Sequence, residues 1–317
     1  MTAIGIGDRV VVTGATGFVG QAVVERLAIS GYEVVGVAER AGPPPEITQH
    51  LSDYHAADLT CEWPNVGSFD GLIHLAGLAA VGPSFDRPQS YINANSAMVT
   101  NIFEYVVQEN WKGRALIVSS GAVYKLSAEH RPLTEDGAVE PTSPYVVSKL
   151  LVELQAEYYR RRGIDALIAR PFNHIGPGQT GGFIVPDLVE KMRSHEPGST
   201  LAAGNLDSER DYTDVRDIAA AYELILQIPH PEFSTYNICS GNSRTGWSVL
   251  EAICERLRAP LPQVEIANTR ALDPSSVTGS SSRLTRETGW TPKIPFEKSI
   301  DDYVSSLTEL PRKIPID

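Results

Sequence analysis

Short apolar runs alternate along this chain with longer segments in which apolar positions recur every three or four residues. Nearly continuous apolar runs are typical of parallel strands buried on both faces, and the longer pattern is typical of amphipathic helices. The predicted strands cover residues 9–13, 33–37, 54–56, 72–75, 115–119 and 166–169, and the predicted helices cover 18–30, 88–109 and 145–162. This alternation predicts an α/β fold with a doubly wound parallel sheet.

Local boundary signals support these elements and then change in the second half of the chain. Ser143 and Pro144 form a helix start, and Gly163 is a helix stop. Beyond Pro171 the pattern is less regular: residues 173–212 are rich in Gly and Pro, and 239–310 mix helical with irregular segments. Between them, residues 213–226 and 235–239 predict one more helix and one more strand that return to the sheet.

Composition and charge narrow the classes of partner. The 317 residues are 42% hydrophobic and carry a net charge of −12, which argues against a nucleic-acid partner because phosphates would be repelled. An anionic ligand must then be bound by a few arginines close to its site. The three cysteines are far apart and lack metal-ligand spacing, so we expect neither a metal site nor a disulfide framework. With no apolar run of about 18 residues, we expect a soluble cytoplasmic protein with no membrane partner.

A glycine-rich turn follows the first predicted strand and opens the first predicted helix. Residues 13–20 read TGATGFVG, and glycines at 14, 17 and 20 let the backbone turn tightly and approach a pyrophosphate at the helix N-terminus. An ordinary glycine turn is the alternative, but the strand–turn–helix context favours a dinucleotide. The predicted cofactor-binding residues of this turn are Gly14, Thr16, Gly17, Phe18, Val19 and Gly20.

Two later strand ends extend the predicted cofactor site, although each also fits a plain loop. Asp58 and Leu59 follow the third strand, where a carboxylate can accept a hydrogen bond from an adenine amino group. At the end of the fourth strand, HLAG supplies small residues beside which a cofactor can lie closely; the predicted contacts there are Leu75, Ala76 and Gly77.

The end of the second strand bears on the choice of cofactor. An NAD-selective site usually has an acidic residue there to hold the ribose hydroxyls, but this chain has Ala38, followed by Glu39 and Arg40. The missing carboxylate and the arginine favour a 2′-phosphate, whereas Glu39 would favour NAD if its side chain pointed inward. We therefore expect NADP(H), with NAD(H) as the alternative.

Three residues form a candidate proton-transfer site. Tyr145 and Lys149 lie four residues apart on one helical face, and Ser119 and Ser120 end the fifth strand, where strand ends line the ligand crevice. A phenol with a reference pKa near 10 is a poor acid at neutral pH. We expect Lys149 to lower that pKa and to hold the nicotinamide ribose, and Ser120 to polarise a substrate carbonyl. Alone, a Tyr–Lys pair would be read as a surface helix pair.

These motifs together resemble the extended short-chain dehydrogenase/reductase family, whose members modify nucleotide sugars. TGATGFVG, HLAG, SSGAVYK, YVVSK and RPFNHIGPGQ carry the resemblance, which runs from about residue 8 to about 305. RPFNHIGPGQ and GNLDSERDYTDVRDIAAAY are most similar to GDP-mannose 4,6-dehydratases and to GDP-4-keto-6-deoxy-D-mannose reductases, which form GDP-D-rhamnose. VTGSSSRLTRETGWTPKIPFEKSI resembles the reductases more.

The resemblance implies a Rossmann-like fold with a smaller C-terminal substrate-binding lobe. It divides the chain into a dinucleotide-binding domain (1–172, completed by about 213–240), a substrate-binding lobe (173–212 and 241–310) and a tail (311–317). It implies a homodimer formed through helices 88–109 and 145–162. It further implies Ser119 and Asn95 at the cofactor, and Asn173, Arg210, Arg270 and Asp273 at a nucleotide-diphosphate sugar.

Two departures from the family pattern bear on the reaction. The dehydratases follow their catalytic Ser or Thr with acidic residues, whereas Gly121 and Ala122 follow Ser120 here and cannot transfer a proton. We therefore expect NAD(P)H-dependent reduction of the C4 ketone of a nucleotide-linked 4-keto-6-deoxyhexose. The alternatives are a 4-epimerase, a 4,6-dehydratase and a non-catalytic dinucleotide sensor. The second departure is Lys125, where the family usually has Gly.

Overall fold

A seven-stranded parallel sheet forms the centre of the molecule in this computed structural model, which describes residues 3–126, 131–196, 198–266 and 276–309. The strands in chain order are β1 (Arg9–Thr13), β2 (Glu33–Ala38), β3 (Asp53–Ala56), β4 (Gly71–His74), β5 (Arg114–Val118), β6 (Asp165–Pro171), β7 (Asn173–Ile175), β8 (Thr200–Ala203), β9 (Glu209–Asp214), β10 (Thr235–Ile238), β11 (Ser243–Thr245), β12 (Gln263–Ile266) and β13 (Ser276–Val277). The central sheet has the order β10-β6-β5-β4-β1-β2-β3. The chain starts in the middle and winds to both edges, which confirms the doubly wound α/β prediction.

The helices follow the strands as crossover connections. They are α1 (Phe18–Ile29), α2 (Pro45–Thr48), α3 (Val81–Asp86), α4 (Pro88–Gln108), α5 (Pro144–Arg161), α6 (Ile184–Arg193), α7 (Val215–Gln227), α8 (Gly246–Leu257), α9 (Ser282–Thr288) and α10 (Phe296–Glu309). The predicted helix boundaries of α5 are confirmed: the Ser143 hydroxyl accepts from the Val146 amide, and Gly163 has φ +92°. Within the described ranges, no helix is both long enough and apolar enough to cross a membrane.

The two faces of the central sheet bury alternate residues of the same strands. Val10 and Val12 pack with the α1 and α7 side, while Val11 packs with the α4 and α5 side, and all three are fully buried. Because both faces are covered, the strands need apolar residues at successive positions, which explains the continuous runs in the sequence.

A third hydrophobic cluster lies outside the central sheet. Side chains from α6, β8, β9, α8 and α10 form it, and two small sheets accompany it: β11-β9-β13 with β7 added to β9, and β12-β8. These elements fall within residues 173–214 and 243–309, where the sequence predicted a substrate-binding lobe but no individual elements. The boundaries of that lobe remain a prediction.

Candidate active site

The glycine-rich turn brings β1, α1 and the end of β4 into contact. Gly14 has φ +69°, and a Cβ at this position would lie 2.8 Å from the Ala76 backbone nitrogen. A Cβ on Gly20 would lie 2.1 Å from the Gly14 oxygen, so α1 packs against the turn only without a side chain there. Gly17 is the N-cap of α1, whose first turn contains no acidic residue, so its amide groups can face an anion.

Thr13 and His74 hold the neighbouring loop, and the motif analysis assigned neither of them a role. The Thr13 hydroxyl accepts from the amides of Leu75 and Ala76, each at 3.2 Å, and lies 2.8 Å from His74 Nδ1. Burial, together with the charge of Lys149, lowers the pKa of His74 to about 3, so the imidazole is neutral. Because the Thr13 oxygen already accepts from two amides, its own proton is left for Nδ1, and the loop 75–77 is fixed at the sheet edge.

The predicted adenosine contacts lie at the outer strand ends. Glu39 and Arg40 are both exposed just after β2, and the Tyr54 hydroxyl donates to the Arg40 carbonyl at 2.6 Å. Asp58 is exposed, and hydrogen bonds from Thr60 hold its pKa below the usual value, so it is ionised at neutral pH. The Leu59 side chain is buried in the core beneath it.

Asn95 links the loop after β4 to α5, the helix that carries Tyr145 and Lys149. Its Oδ1 accepts from the Leu78 amide at 2.8 Å, and its Nδ2 donates to the Leu78 carbonyl at 3.2 Å and to Ser148 Oγ at 2.8 Å. Gly77 lies beside it, where a Cβ would be 2.9 Å from Asn95 Oδ1. Both Nδ2 hydrogens and one lone pair of Oδ1 are used by these bonds, so the geometry gives Asn95 a role in holding the loop and leaves one lone pair of Oδ1 for a cofactor.

Ser120, Tyr145 and Lys149 meet at the carboxyl end of β5. The Ser120 hydroxyl accepts from the Ala122 amide at 3.1 Å and lies close enough to Tyr145 to lower the pKa of its phenol. Lys149 Nζ donates to the Val118 carbonyl at 2.8 Å and lies 5.9 Å from the centre of the Tyr145 ring. Tyr145 and Lys149 are 7% and 8% exposed, so both side chains are largely removed from water.

The protonation of this trio differs from the sequence-based expectation. Burial raises the pKa of Tyr145, and the Ser120 hydroxyl only partly opposes this. Burial also lowers the pKa of Lys149 to about 8, against the opposing effect of Glu153. We expected Lys149 to lower the pKa of Tyr145, but burial raises that pKa, and the group that opposes the rise is Ser120. The phenol is therefore protonated at neutral pH, as a proton donor requires.

Orphaned polar atoms around this edge fit a polar ligand. Within the described residues, buried Ser119 Oγ has no hydrogen-bond partner, and neither has Gln179 Oε1. Gln179 donates to the His174 carbonyl, and the His174 ring stacks on Phe18 at 5.9 Å, so this loop faces the start of α1. Unpaired buried groups are costly, and a dinucleotide between the glycine turn and Ser119 would offer them partners.

The predicted substrate residues are only partly described. Asn173 is exposed on β7, and Arg210 is half-buried on β9, where it donates to the Glu209 carbonyl at 2.8 Å. Arg270 and Asp273 lie outside the described residues. Lys125 is exposed, with its amine 3.9 Å from Glu140, and nothing described explains this departure from the family pattern. Over the same ranges, no group of three or more His, Cys, Asp or Glu side chains is arranged to bind a metal ion.

Comparisons with known proteins agree with this geometry. Residues 10–239 match the model of the NAD dependent epimerase/dehydratase family. GDP-6-deoxy-D-mannose reductase from Pseudomonas aeruginosa is 32% identical over 94% of this chain and 96% of its own. The NADPH complex of RMD from the same organism superposes with a TM-score of 0.80 at 30% identity, covering 94% of this chain and 98% of that one. The NAD complex of UDP-glucose 4-epimerase from Thermus thermophilus superposes with a TM-score of 0.82 at 26% identity, covering 95% of this chain and 99% of that one.

Proposed function

The chain belongs to the NAD dependent epimerase/dehydratase family, and we propose that it reduces the C4 ketone of a nucleotide-linked 4-keto-6-deoxyhexose. GDP is the favoured nucleotide because the GDP-6-deoxy-D-mannose reductase is 32% identical over nearly the full length. The observation that carries the proposal is the meeting of Ser120, Tyr145 and Lys149, in which the buried, protonated phenol of Tyr145 lies beside the Ser120 hydroxyl.

The roles of the trio follow from their protonation. The chemistry that the dinucleotide supplies when bound is hydride transfer. Tyr145 is placed to give its proton to the C4 oxygen, and Ser120 to orient and polarise that oxygen. Lys149, protonated at neutral pH, stabilises the resulting phenolate. The glycine turn and the loop 75–77 would hold the dinucleotide, and Ser119 would meet its nicotinamide end.

The surroundings of Gly121 favour reduction over dehydration. Elimination of water from the sugar needs an acid–base pair next to the catalytic serine. A Cβ on Gly121 would lie 2.8 Å from the Phe172 ring, so no side chain fits there, and Ala122 offers none that can carry a proton.

Arg210 and Asn173 complete the proposal on the substrate side. An acidic protein that binds a nucleotide diphosphate needs local cations, and Arg210 lies on β9, which pairs with the β7 strand of Asn173. We propose that Arg210 contacts the pyrophosphate and that Asn173 lies near the sugar.

The reaction is tested with the 4-keto-6-deoxy product of a separate GDP-mannose dehydratase. We expect the absorbance of NADPH to fall in proportion to the sugar reduced, and deuterium from labelled NADPH to appear at C4. We expect no dehydration of GDP-mannose itself. If 4-epimers interconverted with no absorbance change, the chain would be an epimerase, and if tightly bound dinucleotide were never turned over, it would be a sensor.

Cofactor preference rests on Arg40. We propose NADP(H), because Arg40 is exposed at the end of β2 and Ala38 leaves no carboxylate for the ribose there. Arg40→Ala should raise KM for NADPH by about tenfold or more, the effect of losing a charge-assisted hydrogen bond, and leave KM for NADH little changed. Glu39→Gln is the matched control. An equal effect of Arg40→Ala on both cofactors, or a wild-type preference for NADH, would assign the ribose to Glu39.

The outer face of α5 supports the proposed homodimer. Leu154 and Tyr158 are 66% and 55% exposed, and Val147 lies on the same face of the helix two turns earlier. Exposed apolar side chains at this spacing are typical of an interface, and α4 packs beside α5. Sedimentation velocity at micromolar protein should give twice the mass of 34.4 kDa. A monomer at that concentration would contradict the dimer.

A further inference from the structure

A buried ion pair lies directly behind the catalytic lysine. Glu153 follows Lys149 by one turn of α5, and both residues are 8% exposed. The Glu153 carboxylate accepts two hydrogen bonds from Arg170 on β6, from Nε at 2.8 Å and from Nη2 at 2.6 Å. This two-pronged contact fixes the helix that carries Tyr145 and Lys149 to a strand of the central sheet.

The same guanidinium also reaches the segment that carries Ser120. Arg170 Nη1 donates to the Tyr124 hydroxyl at 2.9 Å, and the guanidinium carbon lies 4.9 Å from the centre of the Tyr124 ring. The Tyr124 hydroxyl in turn donates to Asn237 Oδ1 on β10 at 2.6 Å. Tyr124 directly follows the short 3₁₀ turn (Gly121–Val123) that begins after Ser120. Arg170 is therefore shared by the catalytic helix and the serine loop.

Stability alone is a poor explanation for this pair. The free-energy cost of removing Glu153 and Arg170 from water cancels much of their electrostatic attraction. Replacing a buried ion pair with apolar residues is often neutral or stabilising. A bidentate pair does fix direction and distance, which an apolar contact does not. The requirement at this place is geometric, because Ser120 lies on a loop separate from the helix that carries Tyr145 and Lys149, and the spacing between loop and helix must be kept.

We propose, resting on the proposed function, that Glu153 and Arg170 are positioning residues of the active site. Arg170 holds the helix turn of Lys149 and the loop of Ser120 in register, and the Glu153 carboxylate keeps the buried Lys149 amine protonated. Neither residue touches the reacting atoms.

The groups that face Lys149 set the sign of the expected effect. They are Tyr145 and Glu153 from α5, the neutral His74 from β4, and the Val118 carbonyl from β5. Burial lowers the pKa of Lys149 to about 8, and Glu153 opposes that effect. Removing the Glu153 charge must therefore move the titration of Lys149 to lower pH.

The test compares wild type with Glu153→Gln, which removes the charge and keeps the shape. NMR of the lysine side-chain carbons in the protein without cofactor, assigned with Lys149→Arg, should show the Lys149 midpoint at lower pH. The alkaline limb of kcat should move in the same direction. We expect kcat to fall by roughly ten- to a hundredfold, the size reported for displaced catalytic groups, with KM nearly unchanged.

Two further variants separate positioning from stability. Glu157→Gln removes a surface partner of Arg160 and Arg161 on the same helix and should change neither the midpoint nor kcat. The double variant Glu153→Leu, Arg170→Met should keep or raise the melting temperature and still have low kcat. Recovery of wild-type kcat in that double variant would show that the Glu153–Arg170 pair is merely structural, and would overturn the proposal.

An unchanged Lys149 midpoint in Glu153→Gln would also overturn it. This titration needs neither cofactor nor substrate, so it remains informative if wild type fails to reduce the keto sugar. That failure would overturn the proposed function instead.

Discussion

Tyr145→Phe is expected to lower kcat by roughly a hundred- to ten-thousandfold, the usual contribution of a positioned general acid. Only the hydroxyl is lost, and the ring keeps its place in the cluster with Val146 and Phe172, so the fold should be unaffected. Because the phenol is protonated at neutral pH and lies against Ser120, its proton is the one placed to reach the substrate oxygen. Steady-state kinetics with the keto sugar measure kcat, and fluorescence titration measures NADPH binding.

The control for this prediction lies on the same helix. Tyr158 is 55% exposed, far along α5 from the trio, and Tyr158→Phe should leave kcat within about twofold of wild type. A loss of less than about tenfold in Tyr145→Phe would be too small for a general acid. Ser120 or a solvent molecule would then have to deliver the proton.

The central sheet could be predicted from the sequence because its chemistry is local. Strands buried on both faces must be apolar at every position, so β1 and β4 were visible as runs, and the cap at Ser143 fixed the start of α5. In the second half, α6 has its buried face against α8 and α10, which lie more than 50 residues away in the chain. The stability of these helices comes from packing between segments that are distant in the chain. Short segments that contain Gly carry no local pattern as clear as the apolar runs of the central strands.

The meeting of Ser120, Tyr145 and Lys149 could also be predicted, but the electrostatics of these three residues could not. Their spacing places Tyr145 and Lys149 on one face of the helix. The direction in which the pKa of Tyr145 shifts depends on burial, which only the folded structure reveals. Thr13 and His74 are 61 residues apart, and Glu153 and Arg170 are 17 apart on a helix and a strand. Such pairs are set by the register of the sheet, and no local pattern in the sequence indicates them.

Gly20→Ala should weaken dinucleotide binding by about tenfold or more and lower the melting temperature. Helix propensity alone predicts the opposite, since Ala is favoured over Gly in a helix by up to about 1 kcal/mol. Packing outweighs that gain: the new Cβ would lie 2.1 Å from the Gly14 oxygen and 2.9 Å from Ala15 backbone carbon, and overpacking of this kind costs about 1–3 kcal/mol or more. Relief requires α1 to move away from the turn, which displaces the amides proposed to face the pyrophosphate.

Thermal denaturation and fluorescence titration with NADPH and NADH measure the two effects of Gly20→Ala. Gly204→Ala is the matched control, because no atom lies within 4 Å of a Cβ at that position and its backbone does not need a glycine conformation. Both cofactors should lose affinity equally, since the pyrophosphate is common to them, in contrast to the NADPH-specific loss expected for Arg40→Ala. If Gly20→Ala bound both dinucleotides as wild type does, the turn between β1 and α1 would not be the pyrophosphate site.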